Sequence, residues 1–127
     1  MIVSLGDEFS KQLKHYPLTD KEKIYEFIRH VQQQGFVGLK GRNKPSHNVD
    51  KNDPDFAAKV RYAIDNNLHH YHIGIPHYTP SPNGDMTSEY ILHYILVNDD
   101  EIRIVDMDYH PPFKMPNEKY LIQTINK

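Results

Sequence analysis

The run Tyr90-Ile91-Leu92-His93-Tyr94-Ile95-Leu96-Val97 constrains the fold more than any other part of the chain. Successive side chains of a strand point to opposite faces. Tyr90, Leu92, Tyr94 and Leu96 would therefore line one face, and Ile91, Ile95 and Val97 the other. A strand that is apolar on both sides belongs inside a sheet. Two further runs flank it, residues 69–76 and 101–110, so it reads as the central strand of three. Asn98-Asp99-Asp100 forms a tight turn between the second and third runs. On the first run Tyr71, Ile73 and Ile75 make the core face, which leaves His70 and His72 pointing away from the helices.

Upstream the apolar period changes from two to 3.6. Phe9, Leu13 and Tyr16 predict a short helix within residues 1–16, with a brief extended start and an end at Pro17. Thr19-Asp20-Lys21-Glu22 has the form of a capping box. Behind it Ile24, Phe27, Ile28 and Val31 make one stripe, which predicts a helix over residues 20–34 with Gly35 as its stop. Asp53-Pro54 reads as an N-cap and a first-turn proline. Phe56, Ala57, Val60 and Ile64 predict a third helix to about residue 67. Residues 77–87, with Pro80, Pro82 and Asn83-Gly84, form a long link between the first two strands. Residues 117–125 suit a short terminal helix. The expected architecture is α+β: one domain over residues 1–127, with N-terminal helices packed on a small antiparallel meander sheet.

Composition narrows the function classes. The 127 residues are 38% hydrophobic and 25% charged, with a formal net charge of −2. The pI is about 6.5 and the mean hydropathy −0.73. That is not the profile of a strongly basic nucleic-acid binder, so RNA contact would depend on a local basic patch. No apolar run is long enough to cross a membrane. No charged-then-apolar leader opens the chain, so no signal peptide is expected. The absence of cysteine excludes disulfides and thiolate metal sites. A cytoplasmic location is the default expectation.

Six of the nine histidines fall between His69 and His110, five of them on the three strand runs. Imidazole titrates near neutral pH and suits proton transfer or metal binding. Cleaving RNA through its own 2′-hydroxyl needs a base, an acid and a cation. His70, His72, His93 and His110 are candidates for the first two. Lys40, Arg42, Lys44, Arg61 and Lys114 are candidates for the third. Lys40-Gly41-Arg42-Asn43-Lys44 could also hold phosphate through backbone N–H groups made approachable by Gly41. A metal site built on His70 and His72, with His93 or Asp108, is the weaker possibility, because no helix-borne His-Glu-x-x-His is present. Several of the nine tyrosines fall in or beside the sheet region, where propensity alone accounts for them.

Taken together, these pieces resemble the RelE/ParE toxin superfamily, and within it the YafO-type branch. The matching features are Gly41-Arg42 after the apolar helix, His70-Tyr71-His72-Ile73 on the first long strand, the apolar strand 90–97, and the tail His110-Pro111-Pro112-Phe113-Lys114. Asp108-Tyr109-His110 is similar to the C-terminal catalytic run of HigB-type toxins. The resemblance covers roughly residues 20–115. It implies a RelE-like fold and a ribosome-dependent, metal-independent mRNA endoribonuclease that inhibits translation. Such a protein is the toxin of a type II toxin–antitoxin pair, acts without a cofactor, and is silenced by a cognate antitoxin. Carried over residue by residue, Asp108, Tyr109 and His110 take the C-terminal acid–base role. His70 and His72 sit across the cleft, and Arg42 contacts phosphate. Two alternatives stand beside this reading. One is a non-catalytic module of the same fold that inhibits a protein target. The other is a small metal-dependent hydrolase with histidine ligands.

Overall fold

A computed structural model describes residues 1–109 and 114–122. Strand β1 (Ile2–Leu5) leads into helix α1 (Asp7–Leu13) and the long helix α2 (Leu18–Gln34). A short strand β2 (Asn43–Pro45) and helix α3 (Phe56–Asp65) follow. Then come β3 (Leu68–His72), a two-stranded hairpin of β4 (Thr79–Pro80) and β5 (Met86–Thr87), and the long strands β6 (Tyr90–Asn98) and β7 (Glu101–Tyr109). Helix α4 (Glu118–Leu121) is the last described element.

The main sheet has the order β1-β7-β6-β3-β2. The expected meander is present as β3-β6-β7, with β6 interior, but two strands extend it. β1 pairs parallel to β7, so the sheet is mixed rather than purely antiparallel. β2 adds an antiparallel edge on β3. Neither was legible as a partner, because four and three residues are too short for a period to register. The expected loop 77–87 carries a hairpin of its own, turned around Gly84.

One face of this sheet carries the main core. Phe9, Leu13, Ile24, Phe27 and Val31 from α1 and α2 pack against Tyr71, Leu92, Tyr94, Ile102 and Ile104. The Phe27 ring stacks on Tyr71 at 4.6 Å. The stripe read from the sequence of α2 is thus its buried side. Gly35 ends that helix at φ 64° and donates to Val31 O, as expected.

The helix starts differ from expectation. The helix begins at Leu18, behind Pro17, and no side chain caps it. Thr19 therefore lies inside the first turn, where its hydroxyl cannot serve as a cap. Asp53-Pro54 forms a turn rather than a helix N-terminus. Asp53 Oδ1 accepts from the Asp55 N–H at 2.8 Å, and Asp55 occupies the N-cap position.

Candidate functional site

The opposite face of the sheet holds the histidines. Cross-strand register sets His70 against Lys44 on β2 and against His93 on β6, and His93 against Asp106 on β7. Lys44, His70, His93 and Asp106 form one row across four strands. His72, Ile91 and Asp108 form the next row. His70 and His72 do point away from α1 and α2. His72 is nonetheless buried and His70 partly so, and loop residues Ser46, Asn48, Val49, Asp50 and Asp53 with Lys59 of α3 line a cavity with them.

A register shift puts Asp106 in this row. Tyr94 pairs with Ile104, but the preceding residue His93 pairs with Asp106, so Val105 is an extra residue in β7. Such a β-bulge re-aims every side chain beyond it. Without it, Asp106 and Asp108 would continue the core face of Ile102 and Ile104. His93 is fully buried, and Asp106 is 9% exposed. Burial, reinforced by neighbouring Asp108, pushes the Asp106 carboxyl up to about 7, although the Met107 N–H and Lys119 pull the other way.

Beneath the loop lies a cavity of about 580 Å³, lined by His70 and His72 together with Arg42, Lys44, Lys59 and Lys114. Ser46, Asn48, Asp50 and Asp53 complete its polar wall, while Pro45, Val49 and Met115 supply apolar surface. The two imidazole rings lie 6.1 Å apart, inclined at 69°. Each is held at Nδ1. The Ser46 hydroxyl lies 2.9 Å from His70 Nδ1. The Ser88 N–H donates to His72 Nδ1 at 2.9 Å. Ser88 O lies 3.0 Å from the same nitrogen. Ser88 thus presents both a donor and an acceptor to His72 Nδ1, so either neutral tautomer of the ring finds a partner there.

The cations of the cavity fall into two kinds. Arg42 makes a bidentate pair with Asp85, at 2.6 and 2.9 Å, and also donates to Ser81 Oγ at 3.1 Å. The Arg42 guanidinium and the Ser81 hydroxyl hold the Asp85 carboxyl well below the usual carboxylate range. Arg42 thus ties the β4–β5 hairpin to the sheet, with its charge already matched. Lys59 pairs with Asp53 at 2.6 Å. Among the described residues neither Lys44 nor Lys114 is in an ion pair, so these two offer the cavity's uncommitted positive charge.

Five of the candidate residues read from the sequence thus meet in one cavity: Arg42, Lys44, His70, His72 and Lys114. Lys40 lies elsewhere, over the Tyr78 ring at 5.0 Å. Arg61 lines a separate cavity between α3 and α4. Asp108 shares the histidine face, two strands from His72. Tyr109, the next residue on β7, alternates to the other face, where its exposed ring meets Tyr90 edge-on at 5.3 Å. Asp108 and Tyr109 therefore do not converge. His110 lies outside the described residues, as do Pro111, Pro112 and Phe113.

Sequence reasoning missed Lys59 and Ser46. Lys59 was detectable as a cation beside Val60 on the apolar side of α3. Ser46 carried no signal, because its place beside His70 depends on the unreadable strand β2. Among the described residues no three His, Cys, Asp or Glu side chains are grouped so as to hold a metal ion. Among the same residues no helix is long and apolar enough to cross a membrane.

Compared with known proteins, the chain matches no family model, no curated protein and no solved structure.

Proposed function

We propose that this protein is a metal-independent endoribonuclease and that the histidine cavity is its active site. The observation that carries this reading is the meeting of two imidazoles with two uncommitted lysines in one cavity of about 580 Å³. A nucleotide-sized space with cations and proton-transfer groups suits phosphodiester cleavage through the 2′-hydroxyl. His70 takes the 2′-hydroxyl proton, and the 2′-oxygen bonds to phosphorus. The P–O5′ bond breaks as O5′ receives a proton from His110, to which the resemblance assigns an acid–base role. The products are a 2′,3′-cyclic phosphate and a 5′-hydroxyl. Lys44 and Lys114 balance the charge that gathers on the phosphorane.

The finer reading follows the resemblance to RelE/ParE toxins of the YafO type. In it the substrate is mRNA on the ribosome, cleavage inhibits translation, and a cognate antitoxin silences the protein.

The test is cleavage of mRNA by purified protein, with and without ribosomes, in the presence of EDTA. Fragments with cyclic-phosphate and 5′-hydroxyl ends are expected, and His70→Ala should abolish them. Cleavage that requires a divalent cation, or that survives loss of both His70 and His72, would overturn the proposal.

A further inference from the structure

Arg42 is gripped from outside the cavity that it lines. Its Nε donates to Asp85 Oδ2 and its Nη2 to Asp85 Oδ1, and Nη2 also donates to Ser81 Oγ. Among the described residues, Asp85 and Ser81 are not part of the cavity wall. The grip closes on itself, because the Ser81 hydroxyl donates to Asp85 Oδ1 and accepts from the Asn83 N–H at 3.1 Å. The backbone of Arg42 is held as well. Its N–H donates to Met86 O of the hairpin at 2.8 Å, and its carbonyl accepts from the His72 N–H of β3 at 2.9 Å. The guanidinium N–H groups left over are those of Nη1, which have no partner among the described residues. Nη1 lies across the guanidinium from the gripped edge.

We infer that Asp85 and Ser81 are positioning residues: from the β4–β5 hairpin they fix Arg42 so that its Nη1 donates to a phosphate of the bound RNA. The inference rests on the ribonucleolytic reading of the cavity. A carboxylate and a phosphate can share one guanidinium when each takes a different edge, because the donors of arginine form a rigid planar fork. The charges of the cavity are divided accordingly. Asp85 already balances Arg42, so Arg42 supplies direction, while Lys44 and Lys114 supply the attraction. A phosphate held by two flexible lysines alone is free to slide. One held also by a fixed N–H is not, and attack of the 2′-oxygen on phosphorus depends on that placement. Asp85 and Ser81 touch no reacting atom and act only through Arg42. Their loss should therefore be felt as lost alignment rather than lost affinity.

Two measurements on the full chain test this. In the first, nitrogen NMR of the arginine side chains follows Arg42 of the wild-type protein as a 2′-O-methylated oligoribonucleotide is added. This probe carries the phosphates but has no 2′-hydroxyl to react. The Arg42 Nη1 hydrogens should shift, while the Nε hydrogen keeps its position against Asp85. In the second, Asp85→Asn and Ser81→Ala are set beside wild type. Asp85→Asn releases the charge of Arg42 and loosens its orientation. The probe should then bind several-fold tighter, with a salt slope steeper by about 0.7, the value of one further phosphate contact. Cleavage at saturating RNA should nevertheless fall about tenfold or more. Ser81→Ala should slow cleavage less and leave the salt slope unchanged. A hairpin contact that is merely structural would weaken binding and cleavage together without steepening the slope. That result, or Arg42 resonances that ignore the probe, would overturn the inference and leave the ribonuclease standing. An Arg42 shift in a protein that cuts no RNA would overturn the reaction, and the positioning role with it.

Discussion

Asp106 stands directly across from His93, although its spacing from Ile102 and Ile104 would bury it in the apolar core. The bulge at Val105 carries it to the histidine face, where a carboxyl and an imidazole share a nearly dry row. Asp106 keeps its proton up to about pH 7 because burial penalises the carboxylate.

This has a consequence for stability. The folded value of Asp106 is raised above its unfolded value of 3.8. Between those values the folded chain holds a proton that the unfolded chain has released. The contribution is therefore complete below pH 3.8 and is lost as pH rises through about 7. Asp106→Asn, which cannot ionise, should be more stable than wild type at about pH 8, by about 1–3 kcal/mol. The gain should vanish at low pH. Urea titrations at several pH values check this, and an equal effect at every pH would contradict it.

Gly41 is required by a close approach. A Cβ there would overlap the His72 carbonyl oxygen and press on the Tyr78 ring. The carbonyl is backbone and cannot turn aside, since the adjoining His72 N–H is bonded to Arg42 O. Gly41→Ala should cost about 2–3 kcal/mol, measured by thermal melting. Gly84→Ala, where a Cβ meets nothing within 4 Å but φ is +88°, should cost less.

The Arg42–Asp85 pair should hold the hairpin more than the whole molecule. Asp85→Asn is expected to leave the melting temperature nearly unchanged, since the pair is part-exposed and screened by solvent. Amide exchange at Ser81, Asp85 and Met86 should quicken. The pair's effect is present above the usual carboxylate range and is lost only in strong acid, because Asp85 is held low. Unchanged exchange would show that the hairpin is held by other contacts.

Cations should matter according to their cavity. Neutralising Lys44 and Lys114 together should weaken binding of single-stranded RNA. The slope of log affinity against log salt should fall by about 1.4, at roughly 0.7 per phosphate contact. Lys40→Gln with Arg61→Gln should leave the slope unchanged. Equal effects of the two sets would mean that RNA follows the whole surface rather than this cavity.

Much of the scaffold was legible because burial repeats at a fixed period. The stripe Ile24, Phe27, Val31 and the two-sided apolar run 90–97 each exceed two periods, so their buried faces could be assigned without a structure. The helix starts were not legible. Thr19 and Asp53 have the chemistry of caps, but where a helix begins depends on how the preceding chain enters the fold. Pro17 and the turn at Asp53 settle that instead.

For the site, the sequence alone determined that His70 and His72 would share one face of a strand. His70 and His72 are two residues apart, and strand alternation does the rest. It also marked Arg42, Lys44 and Lys114 as cations of interest. Tertiary structure alone decided which cations those imidazoles meet, that Arg42 spends its charge on Asp85, and that Ser46 and Ser88 hold the two rings. It also decided, through one extra residue at Val105, that Asp106 joins His93. The reason is physical: a side chain's face follows from local period, but its partners follow from register between strands far apart in sequence. A single inserted residue resets that register without leaving any mark in the local pattern.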